Sequence, residues 1–155
     1  MSDKLKLKPS WLTLIIVLCV TLRLGTYLIF PSIFAFEKTG VVQGFDSYDK
    51  YGQNLLSTGV YGLQPGIPDA DFPPLYGYEL AVVYGVFGRG SLQVALFHSL
   101  LDSLSIILLS EIGRRLLPHG RAVGLLAGLF YALYPYLIFQ SLSVTDTPTI
   151  IFLMS

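Results

Sequence analysis

The chain has 155 residues, 53% of them hydrophobic, ten basic residues against ten acidic ones, and a mean hydropathy of +0.63. Zero net charge gives no basic footprint for nucleic acid, and the single cysteine, Cys19, excludes an intrachain disulfide. The charges are unevenly spread: Trp11 to Phe30 holds only Arg23, and Ala122 to Leu142 holds none. A helix needs about 20 apolar residues to cross a bilayer core, so the pattern reads as an all-α membrane protein.

The first span runs from about residue 10 to 30, with Ser10 as its N-cap and Pro31 as its stop. Lys4, Lys6 and Lys8 precede it and predict a cytoplasmic N-terminus. The apolar run is too long for a cleaved signal and no small-residue cleavage site follows it, so it reads as a retained anchor. Residues 31–90 then form a long outer loop. It gathers most of the acids: Glu37, Asp46, Asp49, Asp69, Asp71 and Glu79.

Within that loop, Asp46 to Thr58 predicts a short amphipathic helix. Tyr48, Tyr51, Gly52 and Leu55 share one face at three-four spacing, and Gly59 stops it. Such a helix is expected to lie on the membrane surface with its tyrosines down. Gln64 to Pro74 reads as irregular loop. Leu75 to Phe87 is apolar but covers roughly 20 Å at 1.5 Å per residue, short of a crossing. Were it to cross, Arg114, Arg115, His119 and Arg121 would lie outside, against the positive-inside rule. It is therefore expected to be a surface or re-entrant helix.

The second span is predicted over 91–116, with Ser91 as N-cap and Arg114 and Arg115 in its last turn. Pro118 and Gly120 make the turn. The third span covers about 121–140, kinked at Pro135, with Gly124 and Gly128 as a close-packing face. A fourth is expected to start at about residue 147, with Thr147 as N-cap and Pro148 at N1, and to run to 155. Because that helix would be cut in its third turn, the 155 residues are expected to be the N-terminal part of one longer multispan domain.

Asp46 and Asp146 fall on the same, outer side, both at helix starts. A carboxylate there can serve as general base for an acceptor hydroxyl or amine. The structural alternative for each is a helix cap or a favourable charge at a helix N-terminus. Asp102 lies roughly 16 Å, and Arg23 roughly 10 Å, below the outer ends of their spans. Buried membrane charges pair, so Arg23 and Asp102 are expected to form a structural pair. A proton or ion relay through Asp102 is the alternative. His98 sits one turn from Asp102, and one His with one Asp makes no closed metal site, so no metal ligands are assigned. Tyr48, Tyr51, Tyr61 and Tyr76 are candidates to line a polar-lipid or sugar site, against the commoner role of interfacial anchors.

The motifs come in a distinctive order. Gly44-Phe45-Asp46-Ser47 opens a helix containing Tyr51. Leu55-Leu56-Ser57-Thr58-Gly59-Val60-Tyr61 and Phe72-Pro73-Pro74-Leu75-Tyr76 follow, then Gly113-Arg114-Arg115-Leu116, Ala127 to Pro135, and Val144-Thr145-Asp146-Thr147-Pro148. This order resembles the N-terminal part of the GT-C type polytopic membrane glycosyltransferases, the group with the protein O-mannosyltransferases and the aminoarabinose transferases of lipid A. The resemblance implies a hexosyl- or pentosyltransferase of the cell membrane, multi-pass, using a polyprenyl-phosphate sugar donor on the outer face. Its acceptor would be a lipid, a glycan or a protein. It implies Asp46 as catalytic base and Asp146 as a second site acid, with Pro73 and Pro74 near the lipid-phosphate cavity.

Two positions depart from the family pattern. Asp46 is followed by Ser47 where many relatives have Glu, and Phe72 stands where many have a basic residue before the proline pair. The phosphate-binding cation is then expected from Lys50, Arg89 or a more C-terminal region. No cofactor is assigned, and a divalent cation is left open. The competing readings are a transporter or channel fragment using Asp102 and a non-catalytic assembly subunit. A transporter keeps its ionisable groups at the midplane, whereas the acids here cluster in the outer loop, which favours the enzyme.

Overall fold

The computed structural model describes residues 10–36, 45–116 and 118–155. Lys4, Lys6, Lys8, Glu37 and Gly44 lie outside these. Among the described residues the chain forms seven α-helices and no strand: α1 (Ser10–Ile29), α2 (Phe45–Thr58), α3 (Pro74–Phe87), α4 (Ser91–Leu116), α5 (Gly120–Leu133), α6 (Pro135–Leu142) and α7 (Thr147–Met154). A single 3₁₀ turn, Pro31–Ile33, follows α1.

Two helices, α1 and α4, are long and apolar enough to cross a membrane. The third span expected over 121–140 with a kink at Pro135 is a pair of helices, α5 and α6, bent by 61° at that proline. The cause is local. Pro135 starts α6, and the residue before a proline is pushed out of the helical region. Tyr134 accordingly has φ −70° and ψ 113°.

The long helix α4 packs most extensively on α5, and glycines let their backbones touch. A Cβ at Gly113 would stand 2.5 Å from the Cα of Gly124, and one at Gly124 would stand 2.7 Å from the Ser110 carbonyl oxygen. Small residues are the usual means of bringing membrane helices this close.

Two expected caps differ from the structure. Ser91 is already the first residue of α4, and its hydroxyl pairs with that of Tyr27 at 2.8 Å, tying α1 to α4. At α7 the N-cap is Asp146, and Thr147 opens the helix.

The tyrosine-bearing face of α2 also differs from expectation. Tyr48, Tyr51 and Gly52 are buried, but α3 covers them where a lipid surface was expected. A Cβ at Gly52 would lie 2.9 Å from the Cβ of Leu80. At 14 residues, α3 is too short to cross on its own. It buries Tyr76, Leu80 and Tyr84 and leaves Leu75, Val82, Val86 and Phe87 exposed. Gly59, at φ +72°, ends α2, its N–H on the Leu55 carbonyl at 3.0 Å.

Among the described residues, the apolar bundle encloses one fully buried ion pair. Arg23 donates from Nε to Oδ2 of Asp102 at 2.5 Å, and both side chains are fully buried. The Tyr131 hydroxyl donates to Oδ1 of Asp102, and the Ser141 hydroxyl to Oδ2 at 2.6 Å. Four helices, α1, α4, α5 and α6, are thus pinned at one carboxylate.

Candidate functional site

The α2–α3 pair, the N-terminal half of α4 and the start of α7 meet around Tyr48. The spacing that puts Tyr48 and Tyr51 on one face of α2 also aims Tyr48 past α3. Its ring packs edge-on against Phe72, with centroids 5.0 Å apart, and against Tyr76 at 4.9 Å. Its hydroxyl donates to Oδ2 of Asp146 at 2.8 Å. Asp146 makes no side-chain hydrogen bond to the N-terminus of α7 that it caps. Its carboxylate is turned to α2 and remains partly exposed. Burial first, then the Asp146 hydrogen bond, push the Tyr48 phenol well above its ordinary range, so it stays a donor.

Behind Tyr48, the Tyr76 hydroxyl lies 3.0 Å from Nε2 of His98, and Nδ1 of His98 lies 2.9 Å from the Ser141 carbonyl oxygen. A carbonyl only accepts, so Nδ1 carries the proton and Nε2 accepts from Tyr76. Ser141 also donates to Asp102. A chain of contacts therefore runs from the buried ion pair through Ser141, His98, Tyr76 and Tyr48 to Asp146.

The remaining tyrosines hold the loop. The Tyr51 hydroxyl donates to Oδ1 of Asp69, whose Oδ2 accepts the Leu63 amide at 2.7 Å. These two bonds, the phenol's the stronger, hold the Asp69 carboxyl below its usual range. Tyr61 stacks on Tyr51 with centroids 4.2 Å apart and donates to the carbonyls of Phe72 and Pro73. Tyr51 and Tyr76 are at most 1% exposed, while Pro73 and Pro74 are exposed.

Asp46 stands in the first turn of α2, partly exposed and without a hydrogen bond among the described residues. The helix begins before it, so it does not act as the cap. Lys50 is exposed on the same helix, likewise without a partner among the described residues. Arg89 is not free: its guanidinium grips both oxygens of Asp49 at 3.0 and 2.7 Å, and lies 4.3 Å over the Phe36 ring. The Tyr84 hydroxyl completes that site, 3.0 Å from Asp49.

Glu79 had no assigned role from the sequence, yet it belongs to this region. Its Oε2 accepts from the Thr149 hydroxyl at 2.6 Å, joining α3 to α7, and burial raises its carboxyl above the ordinary value. The available signal was a lone charge in an otherwise uncharged apolar helix. Among the described residues no three of His, Cys, Asp and Glu converge closely enough to hold a metal ion.

Residues 71–155, from the end of the loop through α7, match the sequence model of the dolichyl-phosphate-mannose-protein mannosyltransferase family. The chain belongs to that family. No curated protein and no solved structure matches it. The mannosyltransferase family match takes in Tyr76, Glu79, His98, Asp102 and Asp146, and begins after Asp46, Tyr48, Lys50 and Tyr51. Family membership together with its apolar helices makes this a membrane protein of the glycosyltransferase kind.

Proposed function

We propose that the protein takes part in moving a sugar from a polyprenyl-phosphate donor to an acceptor on the outer face of a membrane, with Asp46 as base and Asp146 as a second acid that holds a substrate hydroxyl. The observation that carries this reading is the Tyr48–Asp146 hydrogen bond. It draws the start of α2 to the start of α7, so that two partly exposed carboxylates come from one end of the fold. In the reaction, the acceptor oxygen or nitrogen attacks the anomeric carbon opposite the phosphate. The bond from carbon to phosphate oxygen breaks, the electron pair leaves on the phosphate, and Asp46 takes the acceptor's proton. A phosphate is a stable leaving group, so positive charge near it matters more than an acid. Lys50 is the cation we assign. Arg89 is already neutralised by Asp49.

The proposed topology is multi-pass with a cytoplasmic N-terminus, α2 and α3 outside, and Arg114, Arg115 and Arg121 inside. Asp102 already binds three side chains, which supports a structural role over an ion relay.

The test is sugar transfer in membranes containing the protein, supplied with radiolabelled polyprenyl-phosphate mannose and related donors. Wild type should transfer. Asp46→Asn should lose about 100-fold or more, the usual range for a general base, while remaining folded. Transfer that survives in Asp46→Asn but vanishes in Asp146→Asn would move the base to Asp146. Transfer unaffected by either would return both carboxylates to structural roles.

A further inference from the structure

The end of the bundle where α4 finishes and α5 begins carries a groove of about 620 Å³ between α1, α4 and α5. One part of its lining is apolar, with Leu12, Leu108 and Leu125, and the other is polar, with Ser110, Glu111, Arg114 and Arg121. Glu111 is covered: Arg114 reaches it with Nε at 2.7 Å and with Nη2, and Arg115 with Nε at 2.6 Å. Within the groove lining, Arg114 and Arg121 against Glu111 leave one net positive charge. Arg121 is exposed and has no ionic or hydrogen-bond partner among the described residues. Ser110 sits in the groove wall, and its hydroxyl is buried without a partner there.

We propose that this groove binds an anionic phospholipid from the bilayer, its phosphate on Arg121 and Arg114 and its chain along the leucines. The charge surplus matches a phosphodiester monoanion. Basic pockets between membrane helices at the positively charged face recognise such headgroups, and a guanidinium fork suits phosphate oxygens. A zwitterionic lipid brings its own cation and gains little from the surplus. This site lies at the opposite end of α4 from Tyr48 and Asp146 and does not depend on sugar transfer.

The experiment is native mass spectrometry of the protein released from neutral micelles containing equal amounts of phosphatidylglycerol and phosphatidylcholine. Phosphatidylglycerol should be retained preferentially, and Arg121→Gln should weaken retention about fivefold, the effect of one basic residue at an anionic surface. Arg115→Gln removes the same charge from outside the groove and should leave retention nearly unchanged. Arg121 is exposed and without a partner among the described residues, so its variant should unfold at the wild-type temperature. Equal retention of both lipids by wild type would overturn the proposal. So would an equal loss in Arg115→Gln, which would mean a diffuse surface field.

Discussion

Asp146 caps α7 with its backbone carbonyl, which accepts the Ile150 amide at 2.9 Å, but not with its side chain: its carboxylate accepts instead from the hydroxyl of Tyr48, 98 positions earlier in the chain. A helix N-cap that turns away from its own amide groups gives up a contact usually worth about 1 kcal/mol. What the turn gains is a fixed carboxylate at the meeting point of α2 and α7.

The first prediction concerns that bond. Tyr48→Phe keeps the ring between Phe72 and Tyr76 and removes only the donor. Stability should fall by about 1 kcal/mol, the net worth of one hydrogen bond to a partly exposed partner. Sugar transfer should fall further than the stability change accounts for, because Asp146 is freed to rotate. The Tyr48 phenol is raised from its ordinary 10.0. A group raised in the folded state stabilises fully below its unfolded value and loses this as pH rises through the folded one. The difference between wild type and Tyr48→Phe should thus be constant from pH 6 to 9 and shrink only above pH 10. Thermal unfolding in micelles across that range checks it.

The buried pair gives the second. Asp102→Asn leaves the Arg23 guanidinium enclosed with no counter-charge, and breaking a buried pair from one side costs about 3–5 kcal/mol. Arg23→Met combined with Asp102→Asn should recover much of that loss, since no charge is then left unpaired. A double-mutant cycle on unfolding midpoints measures the coupling. Full stability in Asp102→Asn with abolished activity would instead make Asp102 a working group.

Much of this architecture is legible in the sequence, and the illegible parts share a cause. The apolar runs behind α1 and α4 are bounded by Pro31, Gly90 and the arginine pair, so their ends follow from local chemistry. The break between α5 and α6 was signalled by Pro135, though its depth depends on Tyr134 going extended. The face of α2 was legible too, since Tyr48 and Tyr51 repeat at helical spacing. What covers that face was not: lipid and α3 are both apolar, and periodicity does not distinguish them. The pairings of Tyr48 with Asp146 and of Asp49 with Arg89 join segments far apart in sequence, where only the assembled fold brings a donor to its acceptor.

A third prediction separates two glycines that look alike in sequence. A Cβ at Gly124 would strike backbone, standing 2.7 Å from the Ser110 carbonyl oxygen and 2.8 Å from its Cα. Backbone cannot step aside, so Gly124→Ala should destabilise by about 1–3 kcal/mol as α5 is levered off α4. A Cβ at Gly128 comes tightest against the Cγ2 methyl of Ile106, at 3.0 Å, with the Cβ and carbonyl oxygen of Ile106 at an ordinary 3.9 Å. Ile106 is buried and stiff at χ1, so it must give by a few tenths of an ångström, and this cost offsets the about 1 kcal/mol by which alanine favours a helix over glycine. Gly128→Ala should be close to neutral. Chemical or thermal unfolding of both variants decides it, and equal destabilisation would show that the whole glycine face is equally tight.

The last prediction rests on Glu79, whose carboxyl is raised above 4.5 by burial while the Thr149 hydrogen bond pulls the other way. Between 4.5 and the folded value the folded chain holds more proton than the unfolded one, so stability rises as pH falls through that window. At pH 7 the half-buried charge is a net burden. Glu79→Gln removes the charge, and its amide oxygen can still accept from Thr149. The variant should therefore be more stable than wild type at pH 7, and its advantage should shrink as pH falls toward and below 4.5. An advantage unchanged at pH 4 would assign the effect to packing instead of ionisation. Sugar transfer adds a second readout. Glu79 is joined through its bond to Thr149 to the first turn of α7, three residues from Asp146 in the chain. If transfer falls in Glu79→Gln while stability rises, the carboxylate serves the reaction; if transfer is unchanged, Glu79 serves only to tie the two helices.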